Sequence, residues 1–130
     1  MRILLVEDDR DHAELACIRL EEAGVDTEVV PNAEEALATL SSETHFDAVV
    51  TDFLLPGRSG AQLLSELHDR RPELPVVILT SADHGDLAAV TLRCGAMAYL
   101  VKDTALEYLE RLAEILSEAA SAAPTARRAG

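Results

Sequence analysis

The sequence predicts an α/β domain: a doubly wound, parallel five-stranded sheet with helices on both faces. Three observations carry that expectation. Short apolar runs recur at Ile3-Leu4-Leu5-Val6, Val49-Val50-Thr51, Val76-Val77-Ile78-Leu79 and Ala98-Tyr99-Leu100-Val101. They are apolar without alternation, as strands buried between two helical layers must be. Helical periodicity fills the stretches between them, and strands alternating with helices are the mark of a parallel sheet. The 130 residues make one domain, and 48% hydrophobic content is enough for a real core.

Taken in order, Arg2 to Val6 is the first strand. Asp11 to Ala23 is a helix, with Ala13, Ala16, Cys17 and Leu20 on one face and Gly24 as its stop. Asp26 to Val30 is the second strand. Asn32 with Glu35 opens a helix that ends near Leu40. Ala48 to Thr51 forms the third strand and delivers Asp52. Ser59 with Gln62 is a capping box for a helix to about Arg71, closed by Pro72 and Pro75. Val76 to Leu79 is the fourth strand. A fourth helix, starting at Asp83 or Asp86 and ending at Cys94, is rich in alanine and expected to be the loosest packed. Ala98 to Val101 is the fifth strand. Thr104 with Glu107 is expected to cap the last helix, whose apolar stripe is Leu106, Leu109, Leu112, Ile115 and Leu116. This assigns residues 1–120 to the folded domain and 121–130 to a flexible tail or the start of a linker.

Twenty-four acids against 11 bases give a net charge of -13. Nucleic acid and anionic membrane surfaces are therefore unfavourable direct partners. Met1 runs directly into a strand, without a basic leader region, and the expected location is cytoplasmic. Cys17 and Cys94 read as unpaired thiols.

The carboxyl ends of parallel strands share one rim, and ligands bind there. This sequence places Glu7, Asp8 and Asp9, then Asp52, then Thr80 and Ser81, then Lys102 at four such ends. Clustered carboxylates repel one another, and a hard divalent cation relieves that repulsion. A cation, an ammonium and a hydroxyl together suit a phosphoryl group, and an aspartate can be its covalent acceptor.

The segments Arg2 to Asp9, Val50 to Gly57, Val77 to Ser81 and Gly95 to Lys102 resemble, in order and spacing, the receiver domain of two-component response regulators. The resemblance covers nearly all of residues 1–120. It implies a flavodoxin-like sheet of order 2-1-3-4-5. It also implies that Asp52 accepts a phosphoryl group from a sensor histidine kinase or a histidine phosphotransfer protein. Glu7, Asp8, Asp52 and the backbone carbonyl of Leu54 would hold Mg²⁺ or Mn²⁺. Thr80 and Lys102 would contact the phosphoryl group, and Thr80 with Tyr99 would act as the switch. The fourth helix, fifth strand and fifth helix would form the output face and the site of any homodimer. Such a domain is not an enzyme acting on an external substrate; it assists only its own phosphorylation and dephosphorylation.

Two departures stand out. Asp103 follows the lysine where many receivers have proline, and Leu54 and Ala82 put apolar groups where an attacking water could be oriented. Two rival readings are an interaction module independent of phosphorylation and a Mg²⁺-dependent phosphatase with an aspartate nucleophile. Loss of Asp52, Asp8 or Lys102 would signal the interaction module, and all three are present. The phosphatase requires another acid two residues beyond the nucleophile, where Leu54 stands.

Overall fold

The structure, a computed structural model, describes residues 1–42, 45–81 and 85–129, with the backbone alone at 85, 87 and 121–129. Five strands alternate with five helices: β1 (Arg2–Val6), α1 (Arg10–Glu22), β2 (Asp26–Val30), α2 (Ala33–Ser41), β3 (Ala48–Asp52), α3 (Gly60–Arg70), β4 (Val76–Thr80), α4 (Gly85–Arg93), β5 (Ala98–Val101) and α5 (Tyr108–Ala129). The strands form one sheet in the order β2-β1-β3-β4-β5, and every neighbouring pair is parallel.

Alternate residues of each strand feed two cores. Ile3, Leu5, Val50, Val77 and Leu79 meet Ala16 and Leu20 of α1 and Leu109, Leu112 and Leu116 of α5. Leu4, Val6, Val49, Val76 and Ile78 meet Ala33, Ala36 and Leu40 of α2 and Leu63, Leu64 and Leu67 of α3. Each fully buried leucine contributes about 1.5–3 kcal/mol relative to exposure. Removing Leu20 or Leu112, both wholly buried, would leave a cavity between a helix and the sheet.

The register aligns the site. Val6 pairs with Thr51, so Glu7 falls one step on beside Asp52. Asp52 pairs with Leu79, and Thr80 pairs with Val101, which puts Lys102 just past the end of the sheet. The helix starts follow the side chains that satisfy their free amides. Asp9 accepts from His12, Asn32 accepts from Glu35, and Ser59 with Gln62 forms the reciprocal box.

Three expectations are altered. The Thr104 and Glu107 pattern does not start α5; Asp103 does, because its two carboxylate oxygens accept from the amides of Glu107 and Tyr108. The helix also begins later than that pattern would put it, at Tyr108. And α5 runs on to Ala129, through the segment whose composition reads as a tail. That stretch is rich in alanine, the strongest helix former, despite Pro124. The expected α4 start at Asp83, and Ala82 before it, lie outside the described residues. Cys17 and Cys94 are both free thiols.

Candidate functional site

At the carboxyl rim of the sheet, Glu7, Asp8, Asp9, Asp52, Leu54, Leu79, Thr80, Ser81 and Lys102 line a cleft of about 290 Å³. Glu7 follows β1, Asp52 ends β3, Thr80 ends β4 and Lys102 follows β5. The topology thus brings together groups that are far apart in sequence. Glu7 and Asp52 are both buried, although each is an acid. What makes that burial tolerable is Lys102, whose ammonium lies 2.7 Å from Glu7 Oε1 and 2.6 Å from Asp52 Oδ1. A buried charge needs such a partner.

Compensation is incomplete. Asp52 Oδ1 meets Lys102 at ion-pair distance yet has no hydrogen bond of good geometry. Burial foremost, and then the neighbouring Glu7 carboxyl, push the pKa of Asp52 up to about 8 against the pull of Lys102. Burial also works against ionised Glu7. Hydrogen bonds with Asp52 and Lys102, the Lys102 charge and the Asp9 amide outweigh it and bring Glu7 below its usual range. Between the two carboxyls, burial and mutual repulsion therefore favour protonation at Asp52 over Glu7. Burial opposes the charged form of Lys102, but its contacts with Asp52 and Glu7 prevail and raise its pKa.

The donor set suits a hard cation. One oxygen from each of Glu7, Asp8 and Asp52 lies within 4.8 Å of the others, and Asp8 is exposed to solvent on the open side. Three oxygen ligands around an underused buried carboxylate oxygen fit Mg²⁺, which keeps several waters of its own.

Thr80 is buried at the cleft wall and Leu54 stands at its mouth with its side chain exposed. Tyr99 is set back from the cleft. It pairs with Ile78 and packs against the core on the α2 and α3 face, the face that Ile78 and, two residues on, Thr80 share.

Three contributors were not anticipated. Tyr108 is buried, stacks on the His12 ring with planes 5° apart and centroids 5.8 Å apart, and its hydroxyl is hydrogen-bonded to His12 Nε2. Burial chiefly, with the negative charges of Asp52, Glu7 and Asp103, keeps that phenol protonated. Burial and then Lys102 lower the pKa of His12, whose Nε2 lies 3.8 Å from Glu7 Oε1. The third is Gly60. A Cβ there would lie 2.4 Å from the Asp52 carbonyl oxygen, so α3 can start this close to the aspartate only without a side chain.

Residues 3–114 match the family model for the response regulator receiver domain. The chain belongs to that family. Among the curated relatives, this receiver is 41% identical over 101 residues to the response regulator protein FleR of Pseudomonas aeruginosa, covering 78% of this chain and 21% of FleR. The chain thus spans about a fifth of that relative's length. Solved receivers share the fold. The receiver domain of the Francisella response regulator 1452 superposes with a TM-score of 0.81 at 26% identity, covering 91% of this chain and 94% of that one. The response regulator TrrA of Thermotoga maritima, solved in complex with Mg²⁺–BeF, gives 0.75 at 27% identity, covering 88% and 97%. Receiver domains are signalling modules of two-component systems, and the order expected from the resemblance is the one observed. Among the described residues no helix is long and apolar enough to cross a membrane.

Proposed function

We propose that Asp52 accepts a phosphoryl group from a phosphohistidine on a partner kinase or phosphotransfer protein. The observation that carries this reading is the buried Asp52 carboxylate, touched by one ammonium and bordered by two further acids. In the transfer an Asp52 oxygen bonds to phosphorus as the phosphorus–nitrogen bond breaks, and the departing imidazole takes up a proton. Glu7, Asp8, Asp52 and the Leu54 carbonyl would hold Mg²⁺, which supplies positive charge against the phosphoryl oxygens. The buried, preset frame of β1 and β3 orients the acceptor, which is most of what such a transfer requires.

After transfer, the phosphoryl oxygens are strong acceptors for the Lys102 ammonium and the Thr80 hydroxyl. Inward movement of Thr80 would vacate space on the face where Tyr99 packs, and the ring would turn into it. That alters the face formed by α4, β5 and α5, which we assign to output and to any homodimer. Leu54 gives no polar group to an attacking water, which favours a long-lived phosphoryl group. The TrrA complex with Mg²⁺–BeF supports expecting the same kind of complex here. Residues 1–120 act as the receiver.

Incubation with acetyl phosphate and Mg²⁺ tests the acceptor. Intact-protein mass spectrometry is expected to show one added phosphoryl group, and Asp52→Asn none. Full labelling of Asp52→Asn would refute the assignment.

A further inference from the structure

Lys102 reaches two buried carboxylates from an edge strand, and a flexible lysine stem does not hold such a position alone. On its near side the backbone is fixed by its own amide, which donates to the Thr80 carbonyl at 2.7 Å. On its far side Asp103, Thr104 and Ala105 are all exposed, so no apolar packing anchors them. Asp103 supplies the anchor. Its Oδ1 accepts from the Glu107 amide at 2.8 Å and its Oδ2 from the Tyr108 amide at 3.1 Å. Its carbonyl accepts from the Leu106 amide at 3.2 Å. The same connection holds Leu106 at φ 62, a left-handed conformation that a branched residue keeps only where its surroundings impose it. Tyr108 in turn is stacked on His12 of α1, so the far end of the connection is tied to a second helix.

We propose that Asp103 is the positioning residue for the Lys102 ammonium: by capping α5 with both carboxylate oxygens it fixes the chain beside Lys102 and aims Nζ between Glu7 and Asp52. The inference deepens the acceptor reading of Asp52 and rests on it for its consequence in signalling.

Nitrogen-15 NMR of the Lys102 ammonium in metal-free protein tests it, with the signal assigned by its loss in Lys102→Ala. In Asp103→Ala the ammonium protons are expected to exchange with water on the order of fivefold faster. Asp103→Asn, which keeps one accepting oxygen, should fall between that variant and wild type. Asn32→Ala removes the cap of α2, does not line the cleft, and should leave the signal unchanged. A further measurement follows addition of Mg²⁺ and beryllofluoride: Asp103→Ala should lose most of the added β5 amide protection that wild type shows. An unaltered Lys102 signal in Asp103→Ala, or an equal change in Asn32→Ala, overturns the proposal. If the alanine variant does not fold, a wild-type exchange rate in Asp103→Asn does so. The ammonium measurement uses neither metal nor phosphoryl group, so it fails independently of the acceptor assignment, which failure to label wild type would sink.

Discussion

The centre and the β5 edge of the sheet are built differently. Every residue of β3 and β4 is buried, and so are four of the five in β1. All four residues of β5 are only half-buried. Beyond it, among the described side chains of α4, Thr91 alone is buried, while Val90 and Leu92 are 46% and 47% exposed. The proposed acceptor and its acidic neighbours sit on the centre, where packing leaves no room to move. The proposed switch spans the two: Thr80 ends buried β4, whereas Tyr99 lies in β5 on the edge, where few apolar contacts oppose a shift. Lys102 joins the two, since it extends from β5 and touches both Glu7 and Asp52. In the proposed function, chemistry falls on the rigid part and the message on the loose part.

The cation site proposed for the centre gives the first test. If the site is as proposed, Mg²⁺ held by the folded protein alone should raise the melting temperature, by an amount equivalent to about 2.7 kcal/mol at a hundredfold excess over Kd. Asp8→Ala should abolish most of that rise and block labelling by acetyl phosphate. A full Mg²⁺ response in the variant would place the ion elsewhere.

Cutting the link comes next. Lys102→Ala leaves two buried carboxyls without their ammonium, and a broken buried pair costs about 3 kcal/mol. Urea unfolding of the metal-free protein should show that loss. Stability equal to wild type would mean that the pair contributes nothing net.

A third prediction concerns pH in the absence of metal. The folded pKa of Asp52 is raised to about 8 from an ordinary 3.8, so the fold binds its proton more tightly than the unfolded chain. Stability from that proton is complete below about pH 4 and is lost as pH rises towards 8. The lowered Glu7 works in the opposite sense, but only as pH falls through its own, lower range. The metal-free melting temperature should therefore drop between pH 5 and 8 by roughly 10 °C. Asp52→Asn should flatten the profile and raise its alkaline end. A wild-type profile without slope would show that Asp52 is ionised throughout.

The centre was also the part most open to reading from sequence. Its strands are uninterrupted apolar runs, and their ends carry Glu7, Asp52 and Thr80 in plain view. Caps such as Asn32 and Ser59 follow from local chemistry alone. The edge was harder. Thr104 is the expected cap and Asp103 takes that role, a choice that depends on where Tyr108 packs, a matter of tertiary contact. His12 and Tyr108 lie 96 residues apart and neither carries a local signal for the other. An alanine-rich segment satisfies both a linker and a helix, so composition could not fix the end of α5. The need for glycine at position 60 arises from the Asp52 carbonyl across the loop, which no local pattern reveals.

The smallest of these effects on stability, and the most informative about coupling, should come from Thr80→Ala. The variant should still accept the label on Asp52 yet lose most of the response in α4.

Amide hydrogen exchange with and without Mg²⁺ and beryllofluoride tests the division between fixed centre and moving edge most directly. The account predicts that exchange changes concentrate in α4, β5 and the connection to α5, with β1 and β3 unchanged, and that Thr80→Ala suppresses the α4 part. Changes confined to α1, or a full α4 response in Thr80→Ala, would contradict it.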